Sequence, residues 1–221
     1  MICLNKGLVK FDWNNINNFT DEDITYFLSL EGKNVDTICK IRKMEKEEVQ
    51  RHIIEGKVKY RFFVKSKNEQ ELFMTLCNAV KQDKLAVLQS INEKNKESLL
   101  LYLRKQYTEM PSKYKETAIW IIGELRAIEA LDILTKATVH KHVNLRRMAV
   151  SALGKIGDTR CEMPLLRALE DENPQVLMYA IKSLSKLKSE RASEKIKQIY
   201  SNSSKDYIKR AAEEFINALK E

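Results

Sequence analysis

The side chains with the clearest chemical potential in this sequence are basic, and many of them fall in one stretch. Between Lys40 and Lys67 there are 10 basic and 4 acidic residues, a net charge of +6 over 28 positions, whereas the whole chain carries +8. Such a cluster can neutralise the phosphates of a nucleic acid. The side chains that we expect to hold phosphates are Lys40, Arg42, Lys43, Lys57, Lys59 and Arg61.

A second basic set lies in the later half of the chain. If the second helix of each repeat described below lines an inner surface, basic residues on these helices and in one loop form a strip. The members of this strip are Lys136, Lys141, Arg146, Arg147, Arg167 and Lys197. The strip can bind phosphates or the acidic side chains of a partner. The alternative is that these side chains only hydrate an outer surface.

No set of residues has the spacing of a catalytic or metal site. The sequence contains no Gly-rich phosphate loop, Cys-x-x-Cys, His-Glu-x-x-His or nucleophile motif. His140 and His142 are close in sequence, but a metal site needs a further converging ligand and none is evident. His52 is expected to be packed or solvated. We therefore predict no enzyme activity, no cofactor and no metal.

The later half of the chain consists of a repeating pair of helices. Helical spacing within residues 143–172 predicts two helices, and Gly157-Asp158 ends the first and begins the second. Apolar and small residues recur at intervals of 31 or 32 residues. The aligned columns include Ala118, Ala149, Ala180 and Ala212; Ile122, Leu153, Leu184 and Ile216; Ala130, Cys161 and Ala192; and Leu134, Leu165 and Ile196. Because one hairpin cannot bury its apolar face alone, the pattern predicts an all-α solenoid.

The repeat unit resembles short HEAT-like repeats of the phycobilisome-lyase type. The resemblance rests on Leu145-Arg146, Ala149, Ala152-Leu153-Gly154 and Ile156-Gly157-Asp158. The next unit follows the pattern less closely, since Leu177 replaces the arginine and Ser185 the glycine. The resemblance covers about the last half of the chain and implies an armadillo/HEAT-like fold with a binding role. It implies no lyase activity, because most such repeats are not lyases.

Residues 32–54 contain another pattern. Val35, Ile38 and Cys39 predict a short helix, and Val49 and Ile53 predict the next one. The pair resembles the helix-turn-helix of sigma-factor region four, in which a small residue packs the helix crossing and a valine-like residue follows ten positions later. Cys39 and Val49 occupy these two places.

The helix-turn-helix resemblance implies that the second helix lies in the major groove of DNA. Its outward residues would be Lys46, Glu47, Gln50 and Arg51. Gln50 suits adenine and Arg51 suits guanine. However, Glu45, Glu47 and Glu48 would also face the polyanion, and acidic residues favour a helix N-terminus for dipole reasons alone. The alternative is therefore a helix-turn-helix used only for packing or for docking a protein.

The expected organisation has three parts. They are a leader over residues 1–19, docked by Phe11 and Trp13, a helix-turn-helix-like module over 20–66, and a solenoid over 67–221. The solenoid is expected to contain repeats at about 83–110, 113–141, 143–172 and 174–204 and a capping helix over 205–220. Residues Lys57–Lys65 are either a strand or a continuation of the third helix, and the lack of a partner strand favours the helix.

The bulk composition fits a helical protein. The chain has 43% hydrophobic and 32% charged residues, with only 6 Gly and 3 Pro. No apolar run approaches the roughly 18 residues of a membrane span, and no signal peptide is evident. The widely spaced cysteines predict buried thiols in a reducing compartment. We therefore expect a cytoplasmic protein, and the Lys- and Asn-rich composition indicates a bacterial source.

These observations predict a non-enzymatic adaptor. The favoured form is a DNA-associated regulator, in which the front module contacts DNA and the repeats bind a protein. The alternative is a protein–protein scaffold in which the helix-turn-helix is a structural cap. A remote alternative is a HEAT-like DNA glycosylase, for which Trp120 and Asp132 are the suggestive pair, although the apolar neighbours of Trp120 favour a core position.

Overall fold

The computed structural model describes residues 3–219, with side chains from residue 6 onward. Residues 1–2 of the predicted leader and 220–221 of the predicted solenoid lie outside the described residues. The contacts divide the chain into two compact units, residues 1–99 and 100–221. The division falls inside a helix, whereas the sequence indicates a boundary near residue 66, where another helix ends.

Unit 1 consists of a β-hairpin followed by helices. The hairpin pairs β1 (Cys3–Lys6) with β2 (Val9–Asp12), and a 3-10 turn follows over Trp13–Asn18. The helices are α1 (Asp21–Leu30), α2 (Val35–Arg42), α3 (Lys46–Lys65), α4 (Glu69–Asn78), α5 (Lys81–Ser90) and the first part of α6 (Glu93–Gln106).

The helix boundaries in unit 1 follow from local capping chemistry. The Thr20 hydroxyl accepts a hydrogen bond from the Asp23 amide and begins α1 where the sequence predicts it. Asn34 caps α2 in the same way, and α2 stops before Lys43, whose backbone is left-handed with a φ of 53°. α3 then runs for 20 residues, so Lys57–Lys65 is helical, as the lack of a partner strand indicates.

Residues 3–19, which belong to the predicted leader, fold back onto α3. Leu8, Val9 and Phe11 are 7%, 5% and 2% exposed, and the Leu8 amide donates a hydrogen bond to the Phe63 carbonyl (2.9 Å). The turn residue Gly7 lies so close to α3 that a Cβ there would be 2.5 Å from the Val64 carbonyl oxygen. Phe11 packs on Phe27 with ring centroids 4.5 Å apart. The hairpin is therefore part of the core of unit 1.

Helices α1, α2 and α3 share a small apolar cluster. Leu28, Ile38 and Val49 are its buried members, and Cys39 and Ile53 pack against it from α2 and α3. The positions that define the predicted helix pair therefore do face one another. Since each helix buries only one stripe, the outer face of α3 remains exposed.

Unit 2 is built from helical hairpins. After the rest of α6 and a 3-10 turn at Tyr107–Glu109, the helices are α7 (Ser112–Glu124), α8 (Leu131–Ala137), α9 (Val143–Ile156), α10 (Glu162–Arg167), α11 (Pro174–Lys186), α12 (Ser193–Asn202) and α13 (Asp206–Ala218). Short 3-10 turns precede α8, α10 and α12, and another follows α10. The first helices of successive hairpins pack in series: α7 packs against α9, α9 against α11, and α11 against α13.

The predicted columns occupy equivalent buried places. Ala118, Ala149, Ala180 and Ala212 are all fully buried, and so are Ala130, Cys161 and Ala192 on the second side. The turn register also repeats, because the left-handed residue recurs every 31 positions, at Arg126, Gly157 and Lys188. No strand occurs among the described residues of unit 2. The fold is therefore all-α, a solenoid of helical hairpins, and the described residues of unit 1 add one hairpin of strands.

Gly154 of the repeat motif and Gly123, which lies 31 residues earlier, have a role other than turning the chain. Gly123 and Gly154 lie inside α7 and α9 and face the next repeat. A Cβ on Gly154 would be 2.6 Å from the Cβ of Ser183, which is shorter than side-chain atoms tolerate. The Ser183 hydroxyl donates to the Val150 carbonyl at 3.0 Å. These positions set how closely successive first helices approach.

Candidate partner-binding surface

The predicted nucleic-acid-binding residues of unit 1 do not form one free basic surface. Lys40, Lys43, Lys46, Gln50, Arg51 and Lys57 are exposed. The other three are held by carboxylates of the same unit: Arg42 by Asp21, Lys59 by Asp23 and Arg61 by Asp83. Three of the six predicted phosphate-binding residues are thus already paired with carboxylates of other helices.

Two of these ion pairs tie the helices of unit 1 together. Asp21 and Asp23 lie in the first turn of α1, where a negative charge is favoured by the helix dipole. Asp23 is 5% exposed and accepts two hydrogen bonds from Lys59 Nζ, at 2.6 and 2.9 Å. Because these pairs link α1 to α2 and α3, we assign Arg42 and Lys59 to holding the unit together.

His52 is a packing residue. Its side chain is 2% exposed between α1 and α3, and its Nδ1 lies 3.3 Å from the Thr25 hydroxyl. The Nε2 atom lies 3.8 Å from a Glu22 carboxylate oxygen. These contacts agree with the expectation that His52 is packed.

The N-terminal end of α3 carries charges of both signs. Glu45, Glu47 and Glu48 are all exposed. Lys46 lies 3.6 Å from Asp36, and Arg51 lies 3.7 Å from Glu48, so that both basic residues have a nearby carboxylate. Ion pairs of this exposed type are worth only about 0–1 kcal/mol and leave both partners free to exchange.

The second helices of unit 2 present one unpaired cation each. Lys136 on α8, Arg167 on α10 and Lys197 on α12 are exposed. Among the described residues, none of the three has a carboxylate oxygen within 4 Å. Other basic residues of unit 2 do have partners, since Lys155 pairs with Glu124 and Arg191 with Glu162 of neighbouring repeats.

Arg146 and Arg147 belong to the repeat itself and not to a free strip. Arg146 donates from Nε and Nη2 to the Asp171 carboxylate, at 2.6 and 3.0 Å, and from Nη1 to the His140 carbonyl at 3.0 Å. Burial opposes ionisation of Asp171, but the hydrogen bonds and charge of Arg146 outweigh it and hold the pKa of Asp171 below its usual value. Arg147 stacks over the Tyr179 ring at 5.5 Å.

A groove of about 380 Å³ lies beside the Arg146–Asp171 pair. It is lined by Val139, His140, Lys141 and Arg167, and Val139 is 77% exposed. Burial, the adjacent His142 ring and the positive charges of Lys115, Lys141 and Arg146 lower the pKa of His140. Glu170, Asp171 and Glu172 line the groove as well, so it places an apolar side chain beside charges of both signs.

Trp120 and Asp132, the pair that suggested DNA glycosylase chemistry, lie on two different helices of unit 2. Trp120 is half-buried on α7, and Asp132 is exposed on α8, 3.9 Å from Arg104 Nε. Among the described residues, no three His, Cys, Asp or Glu side chains converge as metal ligands would. No described helix is both long and apolar enough to cross a membrane.

Sequence reasoning missed an exposed apolar feature on α3. Ile54 and Val58 are 61% and 64% exposed, and with Ala86 of α5 they line an open groove. The sequence contained a signal for this feature. Ile53 and Ile54 are adjacent, and because neighbouring helical residues point about 100° apart, they cannot both face the same core. Only Ile53 packs against the core of unit 1, so Ile54 points outward.

These features define an α-solenoid repeat scaffold. The sequence matches the profile of HEAT repeats over residues 97–161 and 143–217, which together span more than half of the chain. The chain therefore belongs to the HEAT-repeat family.

Solved structures resemble this fold at low sequence identity. The crystal structure of an engineered protein matches with a TM-score of 0.54 and 14% identity, covering 91% of this chain and 97% of that one. A designed armadillo repeat protein in complex with the peptide (KR)4 matches with a TM-score of 0.46 and 16% identity, covering 77% and 94%. None of the curated proteins compared with the chain matches its sequence.

Proposed function

We propose that this protein is a non-enzymatic adaptor whose HEAT repeats bind a protein through an acidic segment. The observation that carries the proposal is one exposed cation on each second helix of unit 2, at Lys136, Arg167 and Lys197, none of which has an ion pair among the described residues; we call these three side chains the row. Three other basic side chains of unit 2, Lys155, Arg191 and Lys195, are matched by carboxylates of adjacent repeats. Since the fold neutralises those charges internally, the unmatched row is available to a partner.

Charge alone supplies too little affinity for a stable complex. An exposed ion pair contributes at most about 1 kcal/mol, so three of them give roughly 3 kcal/mol. Apolar contacts must supply the rest, and unit 2 exposes Val139 (77%) and Met163 (44%) near the cations. Val139, Lys141 and Arg167 line the same groove. We therefore expect the partner segment to combine acidic residues with at least one apolar anchor.

Charge reversal on the row tests this proposal. The full chain carrying Lys136→Glu, Arg167→Glu and Lys197→Glu should lose the partner that the wild type captures from cells, because repulsion replaces attraction. With the purified partner, calorimetry should show affinity reduced by at least about 100-fold, or about 2.7 kcal/mol.

A matched control reverses three exposed lysines on the first helices, Lys113, Lys182 and Lys186, which changes the net charge equally. This control should keep the partner. Capture that persists in the row variant, or that disappears equally in both variants, would show that the row is not the binding surface.

DNA association is a second candidate, supported by the exposed positions at the start of α3. Lys43, Lys46, Gln50 and Arg51 are exposed near the α2–α3 turn, as a reading helix requires. A salt titration with duplex DNA should give binding that weakens as salt rises. Replacing Gln50 and Arg51 by alanine should weaken binding by about 10-fold or more.

A control for DNA binding exists on α5, where Lys81 and Gln82 are exposed residues of similar type. Their replacement by alanine should leave binding nearly unchanged. The DNA candidate is wrong if affinity at low salt is no better than about millimolar, or if the Gln50/Arg51 variant binds as well as the wild type.

A further inference from the structure

We propose that a cavity beneath the hairpin of unit 1 binds a short aliphatic carboxylate, present as a free small molecule. The cavity has a volume of about 70 Å³. Its lining residues come from the Gly7–Leu8 turn and β2, from Phe19 and α1, from α3, and from the end of α5 through the start of α6. All of them belong to unit 1, so this inference is independent of the proposed function of the repeats.

The interior of this cavity is apolar. Val9, Phe27 and Phe63 line it and are all buried. The rings of Phe27 and Tyr60 form one wall, with centroids 5.2 Å apart. Burial and the neighbouring Asp23 carboxylate raise the pKa of Tyr60, so that this wall stays uncharged at neutral pH. The interior therefore suits an aliphatic tail and excludes a charged group.

The mouth of the cavity has hydrogen-bond donors that the fold leaves unused. Lys10 and Asn92 are the exposed members of its lining. Asn92 Oδ1 accepts a hydrogen bond from the Asn95 amide at 2.8 Å, but Asn92 Nδ2 has no acceptor among the described residues. The Lys10 ammonium is likewise without a partner there, and its long stem lets it reach a bound head group. Asn92 also directly precedes α6, whose N-terminal dipole favours an anion.

The charges around the mouth favour a negative head group. Among the described lining residues, Lys10 alone carries a charge. Two acidic residues close to the lining are already matched, since Asp23 accepts from Lys59 at 2.6 Å and Glu93 lies 3.3 Å from Lys96. A carboxylate has only acceptors and can take hydrogen bonds from both free donors. An ammonium would meet the Lys10 cation instead.

The volume of the cavity limits the tail of the ligand. A water molecule occupies about 30 Å³ of liquid, so a cavity of about 70 Å³ holds roughly two or three heavy atoms. An engineered apolar cavity that binds benzene measures about 150 Å³. An aromatic ring is therefore too large, whereas a propyl chain fills the space. Butyrate, a propyl chain with a carboxylate, is the matching probe.

An NMR titration of the full chain with sodium butyrate, at constant ionic strength, tests this inference. The amide signals of Val9, Phe63 and Asn95 should shift saturably. A dissociation constant of about 1 mM or lower is within reach of a ligand of roughly six heavy atoms. Affinity should rise about fourfold per methylene from acetate to butyrate. It should fall again for hexanoate and benzoate, whose tails exceed the cavity.

Asn92→Asp tests the head group without removing the helix cap, because aspartate keeps the capping oxygen and replaces the amide donors by a second carboxylate oxygen. It should weaken butyrate binding at least about 10-fold and leave thermal unfolding nearly unchanged. Lys10→Gln should weaken binding about threefold. Lys6→Gln is its matched control, because Lys6 is an exposed lysine of the other strand that does not line the cavity. This control should bind butyrate like the wild type.

Four outcomes would overturn the inference. One is the absence of saturable shifts with butyrate. Another is affinity that keeps rising through hexanoate, which would show non-specific apolar adhesion. Unchanged butyrate affinity in Asn92→Asp would exclude the mouth from recognition. Finally, tighter binding of N-acetylvaline, which mimics the last residue of a protein chain, would assign the carboxylate to a protein C-terminus instead of a free acid.

Discussion

Replacing Gly154 by alanine should lower the free energy of unfolding by about 2–3 kcal/mol, although alanine favours a helix over glycine by about 1 kcal/mol. The new Cβ would lie 2.6 Å from Ser183 Cβ and closer still to its hydroxyl oxygen. α9 and α11 must then separate, and the buried hydrogen bond from Ser183 to the Val150 carbonyl weakens with them. Urea unfolding followed by circular dichroism measures the loss.

Gly123 provides a graded comparison for this prediction. A Cβ there would lie 2.8 Å from Ala152 Cβ, a milder overlap, so Gly123→Ala should cost less than Gly154→Ala. Adding Ser183→Gly to Gly154→Ala removes the side chain that clashes and should restore part of the stability. An alanine variant as stable as the wild type would mean that the repeats tolerate wider spacing, and the close-approach argument would fail.

Replacing Arg146 by methionine should lower the free energy of unfolding by about 3 kcal/mol at pH 7, because it leaves a buried carboxylate unpaired. The Asp171 side chain is 8% exposed and, among the described residues, would keep a hydrogen bond only from the backbone N–H of Asn173. The His140 carbonyl, which accepts from Arg146, would lose this donor as well. Thermal or urea unfolding at neutral pH checks the size of the effect.

The same variant should show a distinct pH dependence. The pKa of Asp171 is lowered in the folded protein, so its contribution to stability is present above its unfolded pKa and is lost as pH falls through the folded value. In Arg146→Met the carboxyl protonates readily, and the stability difference from the wild type should therefore shrink below about pH 4.

Arg160→Met is the matched control, because Arg160 forms a comparable bidentate pair with Asp158 at the surface. It should change stability little at any pH. Equal losses in the two variants would show that Arg146 acts as an ordinary surface residue.

The repeat unit was predictable because the same packing requirement recurs in every hairpin. Each hairpin needs a small or apolar residue at the same places, so Ala118, Ala149 and Ala180 reveal the stacking without any structure. Residue type alone does not identify the left-handed residue that follows each first helix. Arg126 and Lys188 adopt the same backbone as Gly157 with a side chain present, and only the 31-residue register identifies them.

The charge pattern was harder to interpret, because ion pairing depends on distant residues. Arg42 lies next to Lys43 in sequence, yet it pairs with Asp21 on α1 and Lys43 stays free. Similarly, Arg146 fits a basic strip by spacing but binds Asp171. A count of basic residues gives only the net charge of a region. Which cations are unpaired can be seen only once the positions of the acidic side chains are known.

The hairpin at the start of the chain shows a related difficulty. Val9 and Phe11 alternate with Lys10 and Asp12, which is the period of a half-buried strand. The run is too short to predict a strand on its own, and its stability depends on docking of Gly7 and Leu8 against the end of α3. Such long-range support cannot be recognised from a four-residue pattern.

The cysteine in the alanine column of the second helices has a practical consequence. Cys161 is fully buried, and burial raises the pKa of its thiol, so alkylating reagents can reach it only while the α9–α10 hairpin is transiently open. Its labelling rate in native buffer therefore reports the free energy of that local opening. Cys39, which is half-buried, supplies a second thiol for comparison within the same unmodified chain.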